Sequence, residues 1–340
     1  MYVRRNIKWN IVLRFGWFNL IFFALWSCFV VYIYHHMEHH NYIISIPFQP
    51  LSVIGIAVAF YVGFKNNASY DRFWEGRKIW GGIVNYSRTW GNQVMSYLTN
   101  RLATENITEE EIATIKQQLI YRHIAWLNAL RFQLRQPSSF SIKHPKTVRK
   151  LQMGCDPKND HWANEVGVYL EKEEYEYLID RRNTATHLIR QQGEQLKELR
   201  EKSGLIEDFR HIDMMKSLEE FYNLQGKCER IKNTPFPRQY AFFSKVFTWL
   251  FILILPFGMV GQFAELNHEL MWLTIPFCVI ISWIFSTMEI VGDNSEDPFE
   301  NFINDVPMTA LCRTIEIDLR EMLGETDLPE KIKPVNDILF

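Results

Sequence analysis

"IGIAVAFYVGFKNNASYDRFWEGRKIW", residues 54–80, opens on eleven residues suited to hydrocarbon and closes on a charged run. The charged part carries Lys65, Arg72, Arg77 and Lys78 together with Asp71 and Glu75. No proline or loop-like cluster interrupts the stretch, so it reads as one helix that starts in a bilayer and continues out of it. Two stripes recur at every fourth position of its first half. Ile56, Phe60 and Phe64 form a bulky stripe, and Gly55, Ala59 and Gly63 form a small one. Small residues at this spacing let helix backbones approach closely in lipid.

Three further segments resemble the apolar part of this one. Phe15–Tyr34, Asn41–Phe64, Val246–Phe263 and Leu270–Met288 contain no Asp, Glu, Lys, Arg or His. Each is near the ~20 residues a helix needs to cross a bilayer. The expected fold is an all-α integral membrane protein with spans at about 15–34, 43–64, 246–263 and 270–288. Residues 1–64 would hold the N-terminal segment and two spans, 65–240 a cytosolic helical domain, and 241–288 the other two spans. Residues 289–340 would form an acidic segment, a helix and a tail. The first span is long, rich in Trp and Phe, and lacks a small-residue cleavage site, so it does not read as a cleavable signal peptide.

Arg4, Arg5, Lys8 and Arg14 precede the first span, and the connections "HHMEHHN" and "AELNHE" carry no Lys or Arg. The positive-inside rule then places both termini and the long middle section in the cytoplasm of a cell-membrane protein. Trp74 and Trp80 read as anchors at the interface. In the middle section, Thr108 and Glu111 form a capping box ahead of a helix that ends before Pro137. Further helices are expected at about 163–202, 205–230 and 307–323.

The net charge of −2 over 340 residues argues against a nucleic-acid partner. Cys28, Cys155, Cys228, Cys278 and Cys312 show no CxxC spacing and read as small apolar residues. With no His, Asp, Glu, Lys or Arg in the spans, paired-histidine haem binding and proton-coupled transport lose their usual groups. No phosphate-binding loop, dinucleotide fingerprint, zinc-protease helix or nucleophile elbow is present, so an enzyme is not expected.

A passive pore needs only a lining and a packing. Turned inward, Ile56, Phe60 and Phe64 would make a constriction about 12 Å long at ~1.5 Å per residue, able to gate by dewetting. One lining helix per chain cannot close a ring, so several chains are required. Two alternatives stay open at this point. The stripe could face lipid or other helices in a transporter. Equally, His35, His36, His39 and His40 of "HHMEHH" could serve a metal or redox membrane protein, since histidines four apart suit zinc or copper; they could also be solvated loop residues or a pH-dependent charge.

"GIAVAFYVGFKNNASYDRFWEGRKIWG", "GKCERIKNTPFPRQYAF" and "EDPFENFINDVPM" together resemble the bestrophin channels, in particular the prokaryotic ones. The likeness covers nearly the whole chain and is poorest at about 135–175. It implies a homopentamer in a lipid bilayer, with one axial pore for monovalent ions lined by the second span and cytosolic helices. Ile56, Phe60 and Phe64 fall on the family's neck. A cytosolic aperture falls on Phe209, or on Ile206 or Ile212 if that helix is shifted by a turn.

The family contains anion- and cation-conducting members and is labelled an anion channel. Glu38, Glu265 and Glu269 in the short loops lean toward cations by raising their local concentration. Calcium-activated relatives hold the ion after the fourth span. Asn294, Asp297 and Asp305 match that clasp, but Phe302 stands where a carboxylate is expected. Pro298 also rules out an EF-hand start, where glycine must make the turn. The preferred reading is that Glu296, Asp297, Asn304 and Asp305 cap and join helices, with no resident cofactor.

Overall fold

The computed structural model describes residues 1–38, 40, 42, 44–103, 106–136 and 162–340. Within these the chain is helical; pairing of the extended type is limited to isolated bridges of Ile338 with Tyr2 and Val335. Four helical stretches are long and apolar enough to cross a membrane. The chain forms two compact units, one of residues 4–72 and 235–296, the other of 1–3, 73–234 and 297–340.

The first unit holds α1 (Trp9–Glu38), the start of α2 (Phe48–Tyr97), α8 (Arg238–Leu266) and α9 (Thr274–Ser295). The second span starts at Phe48 and not at 43, because Pro47 and Pro50 confine the helix start: proline has no N–H to donate and fits only a first turn. The irregular backbone ahead of it is satisfied where Ile46 N–H donates to Phe257 O at 3.1 Å. The fourth apolar segment begins as a 3₁₀ turn, His268–Leu273, before α9.

α9 packs on α1 and α8. Several contacts among the helices of this unit are small or polar, as helix packing in lipid favours. Asn19 donates to Ser286 Oγ at 2.9 Å and Trp26 Nε1 donates to Leu253 O at 3.0 Å. Gly258 lies against Leu51 and Gly261 against Ser45, so close that a methyl group at either would collide.

The second unit continues α2 with α3 (Glu109–Arg135), α4 (Trp162–Glu165), α5 (Lys172–Ile179), α6 (Thr184–Glu201), α7 (Asp208–Asn233) and α10 (Met308–Met322). The helix expected over 163–202 is therefore three helices and a 3₁₀ turn, Gly167–Tyr169. Asn183 restarts the chain as the N-cap of α6 by accepting from Thr186 N at 3.0 Å. α3 packs on α6 and α10, and Thr108 and Glu111 make the expected capping box.

The core of this unit contains a cluster of rings, Trp90, His123, Trp126 and Phe221, which meet tilted or edge-on. Trp80 belongs to this core at 0% exposure, so it is not an interface anchor; Trp74 is exposed. Cys228, Cys278 and Cys312 are buried, Cys28 is exposed, and Cys155 lies outside the described residues. Burial pushes the Cys312 thiol up to about 11.

Candidate functional site

The face of α2 is sharply divided. Ile56, Phe60 and Phe64 are 71%, 68% and 58% exposed, whereas Val58 and Val62 behind them are buried at 5% and 0%. Phe60 and Phe64 meet edge to face, with ring centroids 4.5 Å apart. The same exposed line runs on through Asn67, Asp71, Trp74 and Lys78. These steps of three and four residues keep it on one side of the helix. The face thus passes from apolar to polar without turning.

The small stripe divides between two roles. Gly55 abuts Phe251 of the same chain, where an added Cβ would come within 2.9 Å of the ring, while Gly63 has nothing within 4 Å. Ala59 lies between them, half-buried, in an apolar cleft with Leu255 and Phe285.

Lys65 is the first charged residue of α2. Read as the first charge beyond the bilayer, it is buried, with a side-chain exposure of 0%. Its Nζ donates to Glu289 Oε1 at 2.6 Å and to Asp293, and Ser244 Oγ donates to the other oxygen of Glu289 at 2.6 Å. Successive residues on a helix point about 100° apart. Fixing Lys65 toward α9 therefore fixes Phe64, one residue earlier, on the exposed side. The available signal was the pair Glu289 and Asp293, one turn apart at the end of a charge-free span; ionisable groups there are rare unless they pair.

Phe209, in the first turn of α7, is 79% exposed, the highest value for a large apolar side chain among the described residues. Ile212 is 52% exposed, whereas Ile206 is a core residue at 2%. Ile206 is therefore removed from the aperture alternatives.

In the acidic segment, Asp305 is buried and accepts from Phe302 N at 2.9 Å. It closes the loop 302–305 and does not cap α10, which begins after Pro307 without a side-chain cap. Burial pushes the Asp305 carboxyl up to about 7. Phe302 is buried, Asn294 lies on α9, Asp297 lies in the loop, and Glu296 pairs with Arg238 at 3.1 Å.

The histidines also separate. His36 and His40 have ring centroids 5.2 Å apart, His35 faces His268 at 5.4 Å, and His39 lies outside the described residues.

Residues 6–321 match the family model described as Bacterial/Fungal Bestrophin protein. A voltage-dependent anion channel-forming protein, YneE, of Salmonella typhimurium is 29% identical over 291 residues, 86% of this chain and 82% of the relative. Its Escherichia coli K12 counterpart is 28% identical over 317 residues, 93% of this chain and 89% of the relative. The crystal structure of a bacterial bestrophin homologue from Klebsiella pneumoniae superposes with a TM-score of 0.73 at 26% identity, covering 91% of this chain and 98% of that one. With its four apolar helices and an extended, chemically graded face on α2, this chain belongs to the bacterial and fungal bestrophin family.

Proposed function

We propose that the chain is the subunit of a homopentameric anion channel in the cell membrane, with its termini and the segments 65–240 and 289–340 on the cytosolic side. α2 lines the pore. Ile56, Phe60 and Phe64 form its neck, and Phe209 forms a second narrowing. The observation that carries this reading is the unbroken exposed face of α2, apolar from Ile56 to Phe64 and mostly polar thereafter. Water and ions can share the polar part, and dewetting of the apolar part can hold the path closed. The relatives' names favour anions. The acidic loops, with Glu38, Glu265 and Glu269, lean the other way.

Light scattering in detergent should give five times the 40.5 kDa chain mass. Reconstituted with a chloride gradient, the channel should reverse near the chloride potential. Phe60→Ala with Phe64→Ala should raise conductance severalfold without changing the oligomer. A monodisperse monomer, or currents indifferent to both substitutions, would remove the proposal.

A further inference from the structure

The far end of the 4–72 and 235–296 unit brings together groups that the pore reading leaves unused. His35, Glu38 and His268 each place one ligand atom within 4.8 Å of the others. His35 and Glu38 are three residues apart at the end of α1, on one helical face. His268 opens the 3₁₀ turn between α8 and α9.

That turn is well held. Asn267 Oδ1 accepts from Glu269 N at 3.0 Å, and Met271 is buried with Val31 and Val260 as an apolar floor. His268 Nδ1 lies 3.3 Å from Glu38 Oε2. Two donors at zinc-ligand distances on a tetrahedral centre stand about 3.3–3.4 Å apart. That pair already stands at the separation a bound ion requires, and the His35 ligand atom lies within 4.8 Å of both.

We propose that His35, Glu38 and His268 form a binding site for a zinc-class divalent ion, pinning the end of α1 to the α8–α9 turn. Two imidazoles and one carboxylate match the three-ligand sets that leave zinc a fourth position for water. They do not suit calcium, which takes six to eight oxygens. Sequence spacing alone singled out four histidines of one loop. Folding instead selects one of them and adds two residues from outside that set. His36 and His40, exposed and four apart, are the competing pair.

The test uses the full chain, purified in detergent and stripped with a chelator, and neither arm requires ion flux. Calorimetric titration should show one zinc ion per chain, and cobalt(II) in its place should give the visible absorption of a tetrahedral nitrogen and oxygen site. Loss of a partner that merely orients a ligand costs ~10–100-fold in affinity, so His268→Ala and Glu38→Gln should each cost at least that. His36→Ala with His40→Ala should change nothing. His268 is half exposed, and if the alanine variant aggregates, His268→Gln gives the same reading. A stripped chain that takes up no zinc overturns the proposal. So does binding that survives His268→Ala and disappears with His36 and His40.

Discussion

Phe18, Leu25 and Ile280 lie open in the unit of residues 4–72 and 235–296, while Ser27, Lys65, Ser244 and Glu289 are sealed inside it. Both units bury apolar side chains, Val58 and Val62 in the first among them, but the unit around 73–234 presents a different surface. Leu119, Ile124 and Leu130 are sealed, and Glu194, Lys197 and Arg200 lie open. Hydrocarbon cannot hydrogen-bond, so polar groups in the first unit gain by meeting one another. Water can, so in the second unit, proposed above to be cytosolic, apolar groups are driven together. The same twenty side chains thus act as glue in one solvent and as surface in the other.

The largest expected effect breaks the glue. Lys65→Ala leaves Glu289 buried beside Ser244 with no cation, and loss of one member of a buried pair costs about 3–5 kcal/mol. Thermal unfolding in detergent should show this loss, while Lys65→Met combined with Glu289→Leu and Asp293→Asn should recover most of it. An unperturbed Lys65→Ala would mean that the polar interior does not organise its unit.

The next effect belongs to the unit around 73–234 and carries a sign. Burial lowers His123 to about 3, so the folded state keeps it neutral where the unfolded chain, near ~6.5, takes up a proton. Its contribution is complete above ~6.5 and is lost as pH falls toward 3, at up to ~1.4 kcal/mol per pH unit. Asp305, raised to about 7 by burial, acts oppositely. Unfolded it ionises near ~3.9, so stability is lost as pH rises from there to 7. Between these limits the two slopes cancel. His123→Gln should leave stability falling with rising pH, and Asp305→Asn should leave it falling with acidification. Parallel pH profiles for both variants would contradict the assignment.

The smallest effect is a surface one. Thr108→Ala removes the capping box of α3 and should cost about 1 kcal/mol. A loss as large as that at Lys65 would show that the entrance to α3 is more tightly coupled than its exposure implies.

Periodicity and charge-free length were enough to find the apolar helices, the bulky stripe and the Thr108 cap, because each depends on neighbours along the chain. What escaped depends on neighbours across it. The burial of Lys65 was not legible because its partners, Glu289 and Asp293, lie more than two hundred residues away. Trp80 looked interfacial from its position after a span, yet it is core. Asp305 looked like a cap because Pro307 follows, but its carboxylate closes a loop. The histidines were grouped by adjacency, while the fold groups them by reach.

The close approach of Gly258 to Leu51 and of Gly261 to Ser45 carries an evolutionary constraint. Each glycine is a vacancy shaped to its neighbour's side chain, so the two positions of a pair are not free to drift separately. Related chains that carry alanine or serine at 258 should carry a smaller residue than leucine at 51, and the substitutions should arise in that order: the retreat at 51 first, then the advance at 258. A library of variants at the two positions should show the same asymmetry, with Gly258→Ala surviving only on backgrounds already trimmed at Leu51.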